Sequence, residues 1–514
     1  MSSSPGLDPL FSIQTEIQGF LETLEKPAIS EEDFGTLDLS HSEWRLSIEY
    51  GKLIFEAWNA ARSFHRRIEG ISYRDRGRLG VLVRKPGGRE TAILEFHGAG
   101  TAPAGRVMAS PADFLRQVEA VLRREYPGWV FSRFTNRTDR EHSFSSWYVR
   151  GYAKRGRTAW AVVALSDSHH AAAADAVLAH GLNWFAWLRE QHSELILSNL
   201  KIILPQNVIS LTAHRAVFIN PSQAKVSVFE WRSSTEPLSE VDIQDYGNVE
   251  THLVPRLHVE SLLARHRDFL AGVLGEEARL LDLFPGTSLS STFIRYLGLS
   301  LGRIEGNVAP RIYFGLDGPE QEVSDDSRSE FLQFVRQMIE ARTARNRDLS
   351  SPAYALHPER WLESVLVRDL TKIDPALRPQ PVYQQVPAFT GADRGVVDIL
   401  GVTASGRLAV VELKLDEQIN LPLQGLDYWL RVKWLNERGQ FHERGYFPGI
   451  EISKQPPLLY LVSPAFRFHT SNEAVLRFFD PSIEVIRAGL NQQWREGIKV
   501  LFRRNLLDPA EMSG

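Results

Sequence analysis

Apolar and polar positions change rhythm several times along this chain, and each change predicts a different element. From Trp44 to Phe96 the stretches RLSIEYGKLIFEAW, RLGVLV and TAILEF alternate or run apolar with β-branched residues. That period of two reads as strands, with Lys85-Pro86-Gly87-Gly88 as a hairpin turn. Ahead of them, residues 1 to about 40 read as a short helix and an acidic linker. Residues 110–215 run helix (PADFLRQVEAVLRREY), strands (WVFSRF, SSWYVRGYA, TAWAVVALS), helix (AAADAVLAHGLNWFAWLREQ) and strand (LKIILP). Residues 351–505 repeat that order: helix (PERWLESVLVRDL), strand (PVYQQVPAF), hairpin (GVVDILGVTASGRLAVVELK), helix (LPLQGLDYWLRVKWLNE) and strand (PPLLYLVSP). Between them, 216–350 offers helices at HVESLLARHRDFLAGVLG and DSRSEFLQFVRQMIEARTARNRD and a strand at PRIYFGL.

The expected architecture is α/β (or α+β) and multidomain. It divides into an N-terminal helix and small antiparallel β unit (1–100), a helix–strand domain (105–215), a mixed intermediate region (216–350) and a C-terminal domain (351–514). A chain of 514 residues exceeds what one core supports. No Gly/Ser-rich linker separates the pieces, so they are expected to pack closely.

Composition narrows the chemistry. With no cysteine, disulfides, thiolate metal sites and thiol nucleophiles are excluded. A formal charge of −4 gives no global attraction to nucleic acid, so any basic surface must be local. The N-terminus lacks the basic and apolar regions of a signal peptide, and no run approaches the ~18 apolar residues of a membrane helix. A cytoplasmic protein with no membrane contact is expected.

The chemistry concentrates in 395-GVVDILGVTASGRLAVVELKLD-416. Asp398 is expected to start one strand, Ser405-Gly406 to turn, and Leu408–Val411 to form a buried second strand ending in Glu412-Leu413-Lys414. Alternation puts Glu412 and Lys414 on one face, and the hairpin brings Asp398 beside them. Charges placed directly after an apolar run are costly unless they pair or bind a metal. Two carboxylates and an ammonium at a strand end suit a hard divalent cation and a phosphodiester, whose hydrolysis needs an activated water and charge stabilisation. Lys414 is open to three roles: orienting the water, helping to deprotonate it, or neutralising the phosphate. Glu363 on the preceding helix adds a third carboxylate, and Gln424 and Tyr428 lie one turn apart on the following helix.

The ordered set Glu363, Asp398, Glu412-x-Lys414 and Gln424-x-x-x-Tyr428 resembles the PD-(D/E)xK nuclease superfamily, in its RecB-like branch with the QxxxY motif, over about residues 355–505. The resemblance implies a restriction-endonuclease-like mixed sheet flanked by helices. It also implies Mg²⁺- or Mn²⁺-dependent cleavage, DNA ahead of RNA, in repair, restriction or defence. Asp398 and Glu412, with Glu363, would hold the metal, Lys414 would sit at the reacting water, and Gln424 and Tyr428 would support the site or contact the substrate backbone. Val397 stands where the family's name-giving proline falls, and no GxxxxGK[ST] loop points to an ATP motor.

A degenerate copy is expected at 105–215. Residues 148–157 align on 398–407, 161–166 on 409–414, 180-HGLNW-184 on 424-QGLDY-428, and 114–116 on 361–363. Turn glycines and apolar positions persist, while Arg116, Tyr148, Ala164 and Ser166 fall where the acids and lysine stand. Such a domain would bind or scaffold rather than cut, and Arg116, Arg150, Lys154, Arg155 and Arg157 are its candidate nucleic-acid contacts. The plain alternatives are a strand-end Asp398, a solvated Glu412–Lys414 pair, and, for the whole chain, a nucleic-acid-binding or scaffold protein that keeps the fold with little turnover.

Overall fold

The computed structural model describes residues 9–24, 26–31, 35–49, 52–58, 63–75, 77–84, 91–98, 111–166, 171–245, 251–253, 255–286, 290–316, 320–343, 352–390 and 393–505. The chain is mixed α/β and multidomain, and divides into two compact units, Met1–Ala109 and Ser110–Gly514.

The first unit is a helix, Pro9–Glu22, on a seven-stranded antiparallel sheet. Ile17, Phe20 and Leu21 of the helix share a core with Leu53, Phe55, Leu79, Val81, Leu94 and Phe96. The segment expected as an acidic linker instead holds two strands, Pro27–Glu31 and Gly35–Asp38. The first of them pairs with Thr91–Gly98 and carries Glu31, whose buried carboxylate takes both arms of Arg66 at 2.7 and 2.8 Å. An acidic strand is tolerated there because its charge is paired. The turn expected at Lys85–Gly88 lies outside the described residues.

The second unit contains two sheets of the same topology. The upstream lobe runs α1 (Pro111–Glu125), β1 (Val130–Thr135), β2 (Tyr148–Arg155), β3 (Thr158–Leu165), α2 (Ala171–Gln191), β4 (Ile196–Pro205), α3 (Ile209–Ala216), β5 (Lys225–Trp231) and β6 (Ser239–Glu240). Its sheet order is β6-β5-β4-β3-β2-β1, with β3, β4 and β5 parallel and the rest antiparallel. Next come β7 (Thr251–Leu253) and a middle module of α4 (Arg256–Leu274), a five-stranded antiparallel sheet and α5 (Arg328–Ala341). That sheet comprises β8 (Asp282–Pro285), β9 (Ser291–Tyr296), β10 (Leu299–Glu305), β11 (Arg311–Phe314) and β12 (Gln321–Glu322).

The downstream lobe runs α6 (Pro358–Leu366), β13 (Tyr383–Thr390), β14 (Asp393–Val402), β15 (Leu408–Leu413), α7 (Leu421–Glu437), β16 (Leu458–Pro464), α8 (Ser471–Leu476), β17 (Val485–Leu490) and β18 (Val500–Asn505). Its order is β7-β13-β14-β15-β16-β17-β18, again with three parallel strands at the centre. The upstream sheet thus continues through Glu240, past the expected end at 215.

The lobes agree in detail. Gly156 and Gly406 both turn their hairpins at positive φ, 63° and 83°. Gly181 of α2 lies against Leu200 and Ile202, and Gly425 of α7 lies against Leu459 and Leu461, so both helices approach their parallel strands closely. The lobes pack about a local two-fold: Asn220 N–H donates to Phe478 O at 2.7 Å, and Asp480 N–H donates to Phe218 O at 2.9 Å. Each donor is the third residue of a matching stretch of chain, 218-FINPS-222 in one lobe and 478-FFDPS-482 in the other. Reciprocal bonds of this kind mark an isologous contact, here within one chain. One apolar core spans both lobes, including Leu182, Phe185, Leu426 and Trp429.

Arg215 on α3 crosses this contact. It is fully buried and takes Asp427 of α7 at 2.6 and 2.9 Å and Asp175 of α2 at 2.6 Å.

Candidate active site

Asp398 lies within β14, which begins five residues earlier than the sequence suggested. The β14–β15 ladder pairs Ile399 with Val411 and Leu400 with Val410, and continuing it by one step sets Asp398 beside Glu412. Glu412 is buried on the α7 side of a strand whose every residue is buried. Lys414 follows the strand end, with its backbone N–H on Val462 O at 3.0 Å and its Nζ 3.5 Å from Glu412. The triad that the sequence pointed to is therefore assembled.

Glu363 joins it from α6. Its buried carboxylate accepts the Gln385 side-chain amide through both oxygens, at 2.9 and 3.0 Å, and the same nitrogen stands 3.5 Å from Asp398. Gln385 reaches this place from β13: Gln384 pairs with Ile399 and Val386 with Val397, so the unbroken register sets Gln385, at φ 51°, opposite Asp398. Directly opposite residues of an antiparallel pair share one face of the sheet, which sends the Gln385 side chain toward Asp398.

Glu359, one turn before Glu363, holds the lysine: its carboxylate lies 3.4 Å from Lys414 Nζ and accepts the Leu415 N–H at 3.3 Å. Sequence reasoning missed both Gln385 and Glu359. The i, i+4 spacing of Glu359 and Glu363 was a usable signal, whereas nothing in QQVPAF sets Gln385 apart from Gln384.

The electrostatics follow from burial. Burial, and then the neighbouring Asp398 charge, push Glu363 up to about 8, against the pull of the Gln385 amide. Burial and Asp398 likewise raise Glu412 well above the ordinary carboxylate range. Asp398 is raised by burial and held back by a hydrogen bond from Glu412 and by Lys414. Both carboxyls are thus driven toward the protonated form, Glu412 as the donor of the hydrogen bond to Asp398. Burial would lower Lys414, but Glu412, Glu359 and Asp398 outweigh it, leaving the ammonium raised and protonated. Tyr428 is half-buried beside the acids, and burial with the charges of Glu412 and Asp398 raises its hydroxyl.

Gln424 takes a different place from the one expected. It points toward the other lobe, with its amide nitrogen 3.4 Å from Asp175, which Asn420 and Arg215 also contact. It braces α7 against the upstream lobe rather than touching the carboxylates.

Among the described residues, no group of three or more histidine or acidic side chains is already arranged to hold a metal. The donors nonetheless suit a hard cation. Asp398 and Glu412 are adjacent, and the second Glu412 oxygen is buried with no hydrogen-bond partner. An orphaned carboxylate oxygen in a dry site calls for a proton or a cation. Glu363 is engaged by Gln385 and would join a ligand shell only after release from it.

The upstream lobe lacks these groups. Tyr148 stands opposite Leu165, as Asp398 stands toward Glu412, so Leu165 is the counterpart of Glu412. The ungapped alignment of 161–166 on 409–414 is therefore one residue out, and a one-residue slip exchanges strand faces. The hairpins explain the slip: two residues turn one of them, while Val402 and Leu408 close a five-residue turn in the other. Tyr148 donates to Ala173 O at 2.7 Å and packs on His180; His169 and His170 lie outside the described residues.

Of the expected basic contacts, Arg150 is buried, donates to the carbonyls of Ser145 and Arg137, and stacks on Phe144. It pins a loop and presents nothing to a ligand. Arg116 pairs with Asp113, Arg155 stacks on Trp129, Arg157 caps Glu194 O at 3.3 Å, and Lys154 is part-exposed. No helix among the described residues is long and apolar enough to cross a membrane. Comparison with protein-family models, with curated proteins and with solved structures returns no match for this chain.

Proposed function

We propose that the downstream lobe is a divalent-metal-dependent nuclease of the PD-(D/E)xK type that hydrolyses phosphodiester bonds in DNA. The observation that carries the reading is Asp398 set beside the buried Glu412, which has an orphaned carboxylate oxygen and the Lys414 ammonium 3.5 Å away. The central parallel strands with flanking helices are also what that family would require.

Asp398 and Glu412 would hold Mg²⁺ or Mn²⁺, which supplies the positive charge that polarises a phosphate and acidifies water. The chain's own residues do the rest. Lys414, held protonated by Glu412 and Glu359, donates hydrogen bonds to the attacking water or to a phosphate oxygen rather than acting as a base. Of the three roles open to it in the sequence, deprotonating the water is the one its surroundings disfavour. Glu359 fixes its direction, and Tyr428 closes the site from α7 and keeps it dry. Gln385 holds Glu363 in the metal-free cluster. The upstream lobe, without carboxylates at the matching positions, serves as scaffold.

Calorimetric titration with Mn²⁺ tests the reading. Wild type is expected to bind with a release of protons that grows as pH falls toward 6, and Asp398→Asn and Glu412→Gln are expected to lose the site. Binding of equal strength by both variants, or no binding by wild type, would overturn it.

A further inference from the structure

Four acidic side chains and a single lysine line the proposed site, so a polyanion entering it gains from a basic surface alongside. The upstream arginines do not supply one, being exposed on another lobe or buried. The middle module does.

Two packing features dock this module on α6. At Gly298 (φ 78°) an added Cβ would collide with the backbone of Arg360 and Trp361, so the β9–β10 turn lies directly on the helix. Arg342, fully buried, donates to the carbonyls of Leu297, Ala353 and Leu356 and places its guanidinium 4.8 Å from the Trp361 ring centroid. The end of β9 is therefore fixed beside the helix that bears Glu363.

On that end Arg295 stands directly opposite Asp282 in the β8–β9 ladder, its guanidinium 4.6 Å from the Phe284 ring. Arg368, two residues beyond the end of α6, places its guanidinium 3.8 Å from Asp282 and is 56% exposed. Arg267 of α4 is exposed and follows His266, whose ring lies 2.7 Å from the Thr292 hydroxyl of β9, and its charge also acts on Asp282. One acid thus lies among three arginines, and the charge of Arg295 also acts on Glu363.

We infer that Arg267, Arg295 and Arg368 form a phosphate-binding surface through which the middle module grips the backbone of the nucleic acid entering the carboxylate cluster. The inference rests on the nuclease reading for its substrate but on separate residues for its chemistry. A guanidinium presents a planar fork matched to phosphate oxygens. Stacking on Phe284 holds Arg295 in place, and the two exposed arginines remain in reach of solvent. The region that the sequence left unread would then be the substrate-holding part of the enzyme.

The test is fluorescence anisotropy with a labelled DNA duplex in EDTA, over a series of salt concentrations, on the full chain. Arg267→Gln/Arg368→Gln is compared with wild type and with Arg279→Gln, an arginine of the same module that is 78% exposed and paired with Glu276. Each lost phosphate contact lowers the slope of log affinity against log salt by about 0.9, so the double variant should lose roughly 2. Its affinity at low salt should fall at least about tenfold, and Arg279→Gln should match wild type. Wild type that does not bind, or a double variant no weaker than Arg279→Gln, would overturn the proposal. Cleavage by the same preparations in Mg²⁺ separates the two readings. Binding that falls as expected without any cleavage would sink the nuclease reading alone, and cleavage with unchanged binding would sink the arginine surface alone.

Discussion

Replacing Arg215 with methionine should cost the second unit more than any surface substitution. The guanidinium is 1% exposed, and its two aspartates, Asp175 and Asp427, are 29% and 18% exposed. Removing one partner of a buried ion pair costs about 3–5 kcal/mol, because the charge left behind is buried and unpaired. Both acids keep some water, so the expected loss is toward the lower end, about 3 kcal/mol. The remedy for Arg215→Met should be to remove the charges it strands. Arg215→Met/Asp175→Asn/Asp427→Asn should recover at least about half of the loss, since a neutral set of similar volume carries no unpaired charge.

Urea denaturation is the better assay, because at ~2.1 cal/mol/K per residue a unit of this size shifts its Tm by only roughly 1 °C per kcal/mol. A single variant within ~0.5 kcal/mol of wild type would refute the claim that this network ties the lobes together. A triple variant as unstable as the single one would refute the stranded-charge explanation.

Stability of the metal-free protein should fall as pH rises from about 5 to about 8. Glu363 keeps its proton up to about 8 when folded but releases it near the ordinary 4.5 when unfolded, so the folded chain binds more protons in that window and alkali favours unfolding; Glu412 acts in the same sense. Saturating Mn²⁺ should flatten or reverse the slope, and a flat metal-free profile in chemical denaturation would contradict the assignment. Gln385→Ala should destabilise the metal-free protein by about 1–3 kcal/mol by removing the donor shared between Glu363 and Asp398. The loss should shrink in saturating Mn²⁺, so equal losses with and without metal would remove Gln385 from the cluster. With carboxylates in one lobe only, supercoiled plasmid should accumulate as nicked circles before linear product forms; linear product at the earliest times, resolved on agarose, would point to two acting centres.

The sequence carried the chemistry because its pattern is local. Asp398, Glu412 and Lys414 sit on one hairpin, where alternation and a turn glycine fix their neighbourhood. The repeated element order was legible for the same reason, and the paired stretches FINPS and FFDPS were a further sign of duplication that went unused. What escaped depends on register or distance. Gln385 lies opposite Asp398, but the strand register that places it there is not written in QQVPAF. Leu165, not Ala164, matches Glu412 because the two hairpins turn with different numbers of residues. Arg215 is a single basic residue in a short helix, and its partner Asp427 lies in the other lobe. Gln424 followed its motif in spacing but was drawn to Asp175 by the interface. Arg150 looked like a surface cation in sequence and is buried by the aromatic rings around it.

The most direct test of the central claim is the cleavage rate on supercoiled and linear DNA, single strands and RNA in Mg²⁺ or Mn²⁺, measured for wild type, Asp398→Asn and Lys414→Ala. The account predicts cutting that EDTA abolishes and that each substitution slows by about 10²–10³-fold or more. Wild type that leaves every substrate intact, or variants that cut at the wild-type rate, would contradict it.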